Sequence, residues 1–373
     1  MKITGIETYR VRIPLKPEYL MITALGRHDV SEYVLVRLQT DQGVEGVGEA
    51  TVSPSWSGET PIGTVALIKQ FLAPAVIGLD PRDAESVSAA MDAVARHNWF
   101  AKSAIEMACW DAYGKAEAKP VYELLGGARR DPTIRCRFSL GAYDADRAQS
   151  RAAEILAQGF TTLKVKVGGE PETDIARVRA VRKAIGPEPT LVLDANCGWT
   201  ADTAIDCLHA LSDCNIRLME QPTPDGDYLG MARVRHQVWP EIMADDICFN
   251  LHHAETLIRN DCCDVISVYP GKNGGIQKAQ RIAEFAGYHG VACTIGSNLE
   301  YDIATAAMGH LVIATENIQV EAYPGDMLGP AYHQAGVARN PLKIEGPQVT
   351  ISDRPGLGVD VDWEQIKKLS VTS

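Results

Sequence analysis

No stretch of the 373 residues approaches the roughly 18 consecutive apolar residues that a membrane span needs. The first ten residues carry no apolar run of the signal-peptide kind. Positive charge is in deficit: 36 Lys+Arg against 48 Asp+Glu leave a net charge of -12, which speaks against nucleic acid or anionic membrane as a partner. The 9 cysteines are odd in number and scattered, with no Cys-x-x-Cys or Cys/His zinc spacing, so they read as reduced thiols. No segment is low in complexity. A cytoplasmic protein is expected, with a small molecule as its ligand. What is present is apolar material, 46% of the residues, enough for a large core. The length exceeds the usual single domain, so two packed units or one elaborated barrel are the options.

Residues 2–13 read as a strand, followed by a loop over 14–28 and a hairpin, 31–39 and 44–51, turning at Asp41, Gln42 and Gly43. Glycines 43, 46 and 48 lie inside this hairpin rather than between a strand and a helix, so they make no dinucleotide fingerprint. After a loop over 52–59, helical patterning covers 64–74, 84–96 and 101–117, and Gly126 and Gly127 close the unit. From there β and α alternate, with strands at 133–140, 162–167, 190–195, 216–220, 242–245, 265–269, 291–295 and 318–321. Helices at 174–185, 201–211 and 275–288 lie between them. The repeat of roughly 25–30 residues is one βα unit, and eight such strands close a TIM-type barrel. An open doubly wound sheet would alternate too, but even units with polar strand ends favour closure. The expected organisation is an α+β capping domain over 1–128, a (β/α) barrel over 129–332, and a tail over 333–373 that packs back on the cap.

Active sites of such barrels lie at the C-terminal strand ends. Those ends present Lys164, Lys166, Asp194, Glu220, Asp245, Tyr269 and Glu300. Asp194, Glu220 and Asp245 end three successive strands and would converge on one point, where repulsion is costly unless a cation intervenes. All-oxygen ligands suit Mg²⁺ or Mn²⁺. The competing view is that each carboxylate merely caps the next helix. Lys164 and Lys166 are two apart in a strand and face the barrel interior together, where repulsion and desolvation would lower a lysine pKa. Structurally, one lysine could instead pair with a core carboxylate while the other reaches solvent. A lysine pair beside a metal-ligand set fits proton abstraction next to a carboxylate, with the metal neutralising the enediolate. A glycosidase using Asp194 and Glu220, and a non-catalytic metal-binding protein, remain open alternatives.

The motifs FAKSAIEMACWD at 100–111, ELLGG at 123–127, KVK at 164–166, KNGG at 272–275 and PGLG at 355–358, with the three acidic strand ends, span nearly the whole chain. Together they resemble the enolase superfamily, in the muconate-lactonizing-enzyme subgroup of the mandelate racemase/muconate lactonizing enzyme family. The resemblance implies a modified TIM barrel of (β/α)7β type. It also implies Mg²⁺ on Asp194, Glu220 and Asp245, Lys166 as acid/base, and Lys164 orienting the substrate carboxylate. Glu300 matches an acidic residue carried after the seventh strand. One departure stands out: counting back from the Gly274–Gly275 pair, the subgroup's second lysine falls on Tyr269. Lys272 lies past Pro270 and Gly271 and is expected to be outside the catalytic register. Gly296 stands where the mandelate-racemase branch has a histidine. With one lysine missing, a one-base muconate-cycloisomerase-like cycloisomerase or lyase is expected. A racemase or epimerase of an N-acyl amino acid or dipeptide, with Tyr269 donating a proton, and a hydroxy-acid dehydratase are the alternatives. Lid loops of the cap offer Tyr19, His28 and Trp56 as substrate contacts, whereas His97, His252, His253 and His310 read as helix or surface residues. A homo-oligomer is expected.

Overall fold

The structure is a computed structural model that describes residues 1–371. The cap is an antiparallel sheet of Ile3–Pro14, Val30–Thr40 and Glu45–Ala50, with the middle strand paired to both others. A long helix, Trp99–Ala116, lies across it and is buried on nearly every side, because the barrel covers its other face. The hairpin glycines exist for this helix. A Cβ on Gly46 would sit 1.8 Å from the Ala108 carbonyl oxygen, and one on Gly48 1.8 Å from that of Ala104. The helix expected over 64–74 runs from Pro61 to Val76 in three parts, widening to a π turn at Ile68–Leu72. Pro74 follows at once, and without an N–H it cannot complete a regular ladder.

The loop expected over 14–28 holds a short hairpin, Met21–Thr23 with Gly26–His28, turning at Ala24 and Leu25. Ala24 rests on two barrel glycines: a Cβ on Gly168 would lie 3.0 Å from the Ala24 methyl, and one on Gly198 2.7 Å.

Seven parallel strands form the barrel sheet in sequence order: Phe138–Leu140, Thr162–Lys166, Thr190–Asp194, Ile216–Glu220, Glu241–Ala244, Val265–Val268 and Ala292–Ile295. Two expectations are corrected here. The run 133–140 is split, since Thr133–Arg135 leaves the barrel to pair with Gln348–Thr350 of the tail. Residues 318–321 form no regular strand. The seam is closed by lone parallel bridges, Ile318 to Cys293 and Gly325 to Cys136, with turns between them that break the extended geometry. The tail hairpin, Lys343–Glu345 and Gln348–Thr350, extends that side sheet. Its last helix, Trp363–Leu369, returns to the cap, where Trp363 meets Tyr9 with ring centroids 5.2 Å apart.

Cap and barrel are joined by carboxylates that cap helices of the other unit. The barrel helices Ile276–Tyr288 and Asp302–Ala314 have no side-chain cap of their own. Glu106, from the long cap helix, accepts from Ile276 N at 2.8 Å and Gln277 N at 3.0 Å. Glu49, from the cap hairpin, accepts from Tyr301 N at 2.6 Å and Ala304 N at 3.0 Å. A carboxyl oxygen at a helix N-terminus satisfies otherwise orphaned N–H groups, and these bonds persist although burial pushes the Glu49 carboxyl up to about 8.

Candidate active site

The mouth of the barrel opens into a cavity of about 140 Å³, roofed by the 21–28 hairpin and the cap loop that carries Trp56. Lys164, Lys166, Asp194, Glu220, Asp245 and Tyr269 all line it, as do His28 and Trp56. The strand register explains the convergence: Lys166 pairs with Asp194, and Asp194 with Glu220, across three adjacent strands. Asp245 follows the next strand, just past Ala244. Two other candidates stand back. Tyr19 stacks on Tyr332 at 4.8 Å, one layer behind the wall. Glu300 is turned into its own loop, accepting from Ser297 Oγ at 2.5 Å and Asn298 N at 2.9 Å. Burial pushes its carboxyl up to about 7. Its part is to shape the loop whose Ser297, Asn298 and Leu299 do reach the cavity.

Cations and carboxylates alternate below the cavity. Lys164 Nζ lies 2.7 Å from Asp326, 3.2 Å from Glu220 and 3.3 Å from Asp194. Lys166 Nζ donates to Asp194 at 2.5 Å and to Asn196 at 2.7 Å. Arg137 bridges Glu220 at 3.0 Å and Asp326 at 2.9 Å. The lowered lysine pKa expected from like-charge repulsion does not occur at Lys164. Burial and Arg137 do push it down, but Asp326, Glu220 and Asp194 outweigh them and hold it above the ordinary lysine value. Burial, then Asp194, raises Glu220 to about 7. Burial, then Asp245, raises Asp246 to about 8. At Asp194 burial acts upward, yet Lys166 and Lys164 carry the carboxyl below its usual range.

Lys272 bears on the site from outside the cavity. It does lie beyond its strand, in the short helix Pro270–Asn273, yet it is not idle. That helix folds it back, fully buried, onto Asp245: Nζ is 2.7 Å from Oδ1 and 2.9 Å from the carbonyl of the same residue, with the Ser267 carbonyl at 2.8 Å. Asp326, Arg137, Asn196 and Asp246 were not singled out from sequence. Arg137 immediately precedes the first barrel strand and Ser139 lies in it, two residues on, so inward alternation is a usable signal; both bind Asp326. Asp326 follows the irregular seam, where no strand pattern marks it.

The donor set fits a hard divalent cation in kind, being oxygen throughout. Burial and neighbouring carboxylates raise Glu220 and Asp246 as described, and Asp246 Oδ2 has no partner among the described residues. Among the described residues no three such side chains stand in a finished ligand arrangement, because Lys164 and Lys272 hold them.

Residues 4–126 match the family described as mandelate racemase / muconate lactonizing enzyme, N-terminal domain, and residues 147–366 the one described as enolase C-terminal domain-like. A hydrophobic dipeptide epimerase of Enterococcus faecalis is 34% identical over 96% of this chain and 99% of its own length. The crystal structure of 2-chloromuconate cycloisomerase from Rhodococcus opacus superposes with a TM-score of 0.95 at 31% identity, covering 100% of both chains. That of N-succinyl Arg/Lys racemase from Bacillus cereus gives 0.95 at 28%, covering 100% of this chain and 99% of the other. The Enterococcus epimerase was crystallised with Mg and the dipeptide L-Leu-L-Tyr. These relatives are epimerases, racemases and cycloisomerases, so the glycosidase and non-catalytic readings fall. Among the described residues no helix is long and apolar enough to cross a membrane. Recognised in both halves and matched end to end by working isomerases, this chain is an enzyme of the mandelate racemase/muconate lactonizing enzyme family, within the enolase superfamily.

Proposed function

We propose that the enzyme runs a one-base reaction on a small carboxylic acid, as a cycloisomerase or lyase, with Lys166 as the only side chain that moves the substrate proton. Tyr269 carries this reading. Strands two and six stand opposite each other in an eight-position barrel, so Tyr269 occupies the side of the cavity facing Lys166. A second base belongs there in two-base racemisation. Burial, followed by Asp245, holds the Tyr269 phenol well above its ordinary value, so it stays neutral and cannot take a proton.

Mg²⁺ fits Asp194, Glu220 and Asp245, and when bound would supply positive charge against the developing enediolate. The chain's own groups do the rest. Lys166, steered by Asp194 and Asn196, takes or returns the proton on one face. Lys164 offers its ammonium to the substrate carboxylate while Asp326, itself held by Arg137, fixes it from behind. The roof formed by Trp56 and the 21–28 hairpin narrows the access of water, and a bound substrate beneath it would strengthen the charge interactions there.

Epimerisation of a dipeptide fits less well. Asp194, Glu220, Asp245 and Asp326 are each already paired to a lysine or arginine, so among the described residues no carboxylate lining the cavity is left over for a free α-ammonium. The test is turnover in D₂O with the Mg²⁺-loaded protein, offering muconates, hydroxy acids, N-succinyl amino acids and dipeptides. The one-base reading expects product deuterated with a single stereochemistry and a Tyr269→Phe variant that keeps most of its rate. Interconversion of enantiomers, blocked in one direction by Tyr269→Phe, overturns it in favour of an epimerase.

A further inference from the structure

Beneath the lid hairpin, the hydroxyl of Ser31 lies between two histidines. Its Oγ is 2.8 Å from His333 Nε2 and 2.9 Å from His28 Nε2, and Ser31 is fully buried. The other nitrogen of His333, Nδ1, is 2.8 Å from the Gly329 carbonyl. A carbonyl only accepts, so His333 Nδ1 carries a proton. Burial presses the His333 imidazole down to about 4, so the ring is neutral and its Nε2 is a bare acceptor. Ser31 must then donate its single proton to His333. Having none left, it can only accept from His28, which therefore holds its proton on Nε2.

The order of donors is forced along the whole chain, from His28 through Ser31 and His333 to Gly329. Tyr301 keeps the middle link in place: its hydroxyl donates to the Ser31 carbonyl at 2.9 Å, and its ring meets His333 edge-on at 4.7 Å. His28 lines the cavity, and with Nε2 engaged by Ser31 the unprotonated Nδ1 is the ring nitrogen left for a ligand. Burial also pushes the His28 imidazole below its ordinary value, against a smaller upward pull from Asp29.

We propose that His28 is a specificity-determining residue whose tautomer is set by Ser31 and His333, so that it offers a hydrogen-bond acceptor at the lid end of the cavity. It selects substrates that carry an O–H or N–H donor on the end remote from the carboxylate. This rests on the reading that the carboxylate lies at the Lys164 and Mg²⁺ end. A second carboxylate at the lid end would meet a lone pair, whereas a hydroxyl or protonated amine is matched. Arg27, also at the rim, does not reverse this, because its side chain is 63% exposed and shared with Asp29 at 3.6 Å. Within one-base chemistry, the lid therefore favours a hydroxylated or amine-bearing acid over a muconate-like diacid.

Two measurements on the Mg²⁺-loaded full chain test it. Side-chain ¹⁵N NMR of labelled histidine, with His28 assigned by its loss in His28→Asn, should show Nε2 protonated and Nδ1 bare; Ser31→Ala should produce a mixture. Calorimetry with 4-hydroxybutyrate and succinate should find the hydroxy acid bound at least ~5-fold tighter, the scale of one neutral hydrogen bond. His28→Phe should erase the preference, and His28→Asn, whose amide oxygen stands near the Nδ1 position, should keep it. A protonated Nδ1, an unchanged tautomer in Ser31→Ala, equal or tighter binding of succinate, or a preference that survives His28→Phe each overturns the proposal alone. If neither acid binds while the tautomer is as stated, the carboxylate reading fails and the proposal falls with it.

Discussion

The indole of Trp56 lies nearly parallel to the phenol of Tyr269, with ring centroids 6.0 Å apart and planes 12° apart. The same indole donates its N–H to Asp246, the residue after Asp245, and Phe100 meets it edge-on at 5.5 Å. One cap side chain thus fastens the lid to the ends of two barrel strands. Trp56→Phe keeps the stack but leaves the buried Asp246 carboxyl without its indole donor, and should lower kcat/KM about 10-fold, the upper end of what one neutral hydrogen bond contributes. Trp56→Ala should lose more and speed hydrogen exchange over residues 53–58. Equal rates for both variants would mean that only the ring matters.

Asp194→Asn, Glu220→Gln and Asp245→Asn should each weaken Mg²⁺ binding by calorimetry and abolish turnover while leaving the far-ultraviolet dichroism unchanged. Each removes one anionic oxygen from a hard-cation site. Chelation by EDTA should stop the wild-type enzyme and added Mg²⁺ should restore it. Full activity in EDTA would contradict the metal assignment.

Lys272→Met should be damaging, although Lys272 does not line the cavity. The substitution leaves Asp245 buried without its cation and two carbonyls without their donor. Breaking a buried pair from one side costs about 3–5 kcal/mol. Urea unfolding should register this loss, and Mg²⁺ affinity should fall because Asp245 is no longer held. A stability within 1 kcal/mol of wild type, taken as about the size of an exposed pair, would show that the pairing is dispensable.

Glu106→Gln tests the join between cap and barrel. Glu106 accepts from Ile276 N, Gln277 N and, at 2.8 Å, Trp110 Nε1. An amide in its place turns an NH₂ toward one of these donors. The expected loss is about 1–3 kcal/mol in chemical denaturation, with substrate turnover changed less than stability.

His310 supplies a pH dependence. Burial lowers this fully buried imidazole to about 4 from its ordinary 6.5. Between those values the unfolded chain binds more protons than the folded one, so acid favours unfolding. Its contribution is complete above about pH 6.5 and is lost as pH falls toward 4, up to about 3 kcal/mol. His310→Gln should flatten the decline in unfolding free energy between pH 7 and pH 5. A decline as steep as that of wild type would place the acid sensitivity elsewhere.

What could be read in advance follows from how local each signal is. Asp194 and Glu220 end short, almost continuously buried apolar runs, which mark both strand and functional tip. Lys272 shows the limit: Pro270 and Gly271 do end the strand, but only the turn of the short helix after them brings the ammonium back beneath Asp245. Asp326 was invisible because its segment touches the sheet through isolated bridges and has no periodicity to detect. Tyr19 and Glu300 sit in loops, where spacing does not say which way a side chain faces. The motif at 100–111 was recognisable as a string, yet the work of Glu106, capping a helix some 170 positions onward, exists only in three dimensions.

The seat of Ala24 on Gly168 and Gly198 separates two things that enzymes usually have to change together. The hairpin's height above the barrel is set by the Ala24 methyl group against two bare backbones, so that position tolerates nothing larger. Its flanks, Met21 and Thr23 on one side and Gly26, Arg27 and His28 on the other, face the cavity and take no part in that seating. Substitutions on the flanks can therefore retune what is admitted without moving the door. In a family whose relatives handle dipeptides, succinylated amino acids and muconates on one barrel, such a division lets selection explore new substrates while the proton-transfer machinery stays in register. A lid borrowed from a relative should close here provided that it keeps a residue as small as alanine at the position of Ala24.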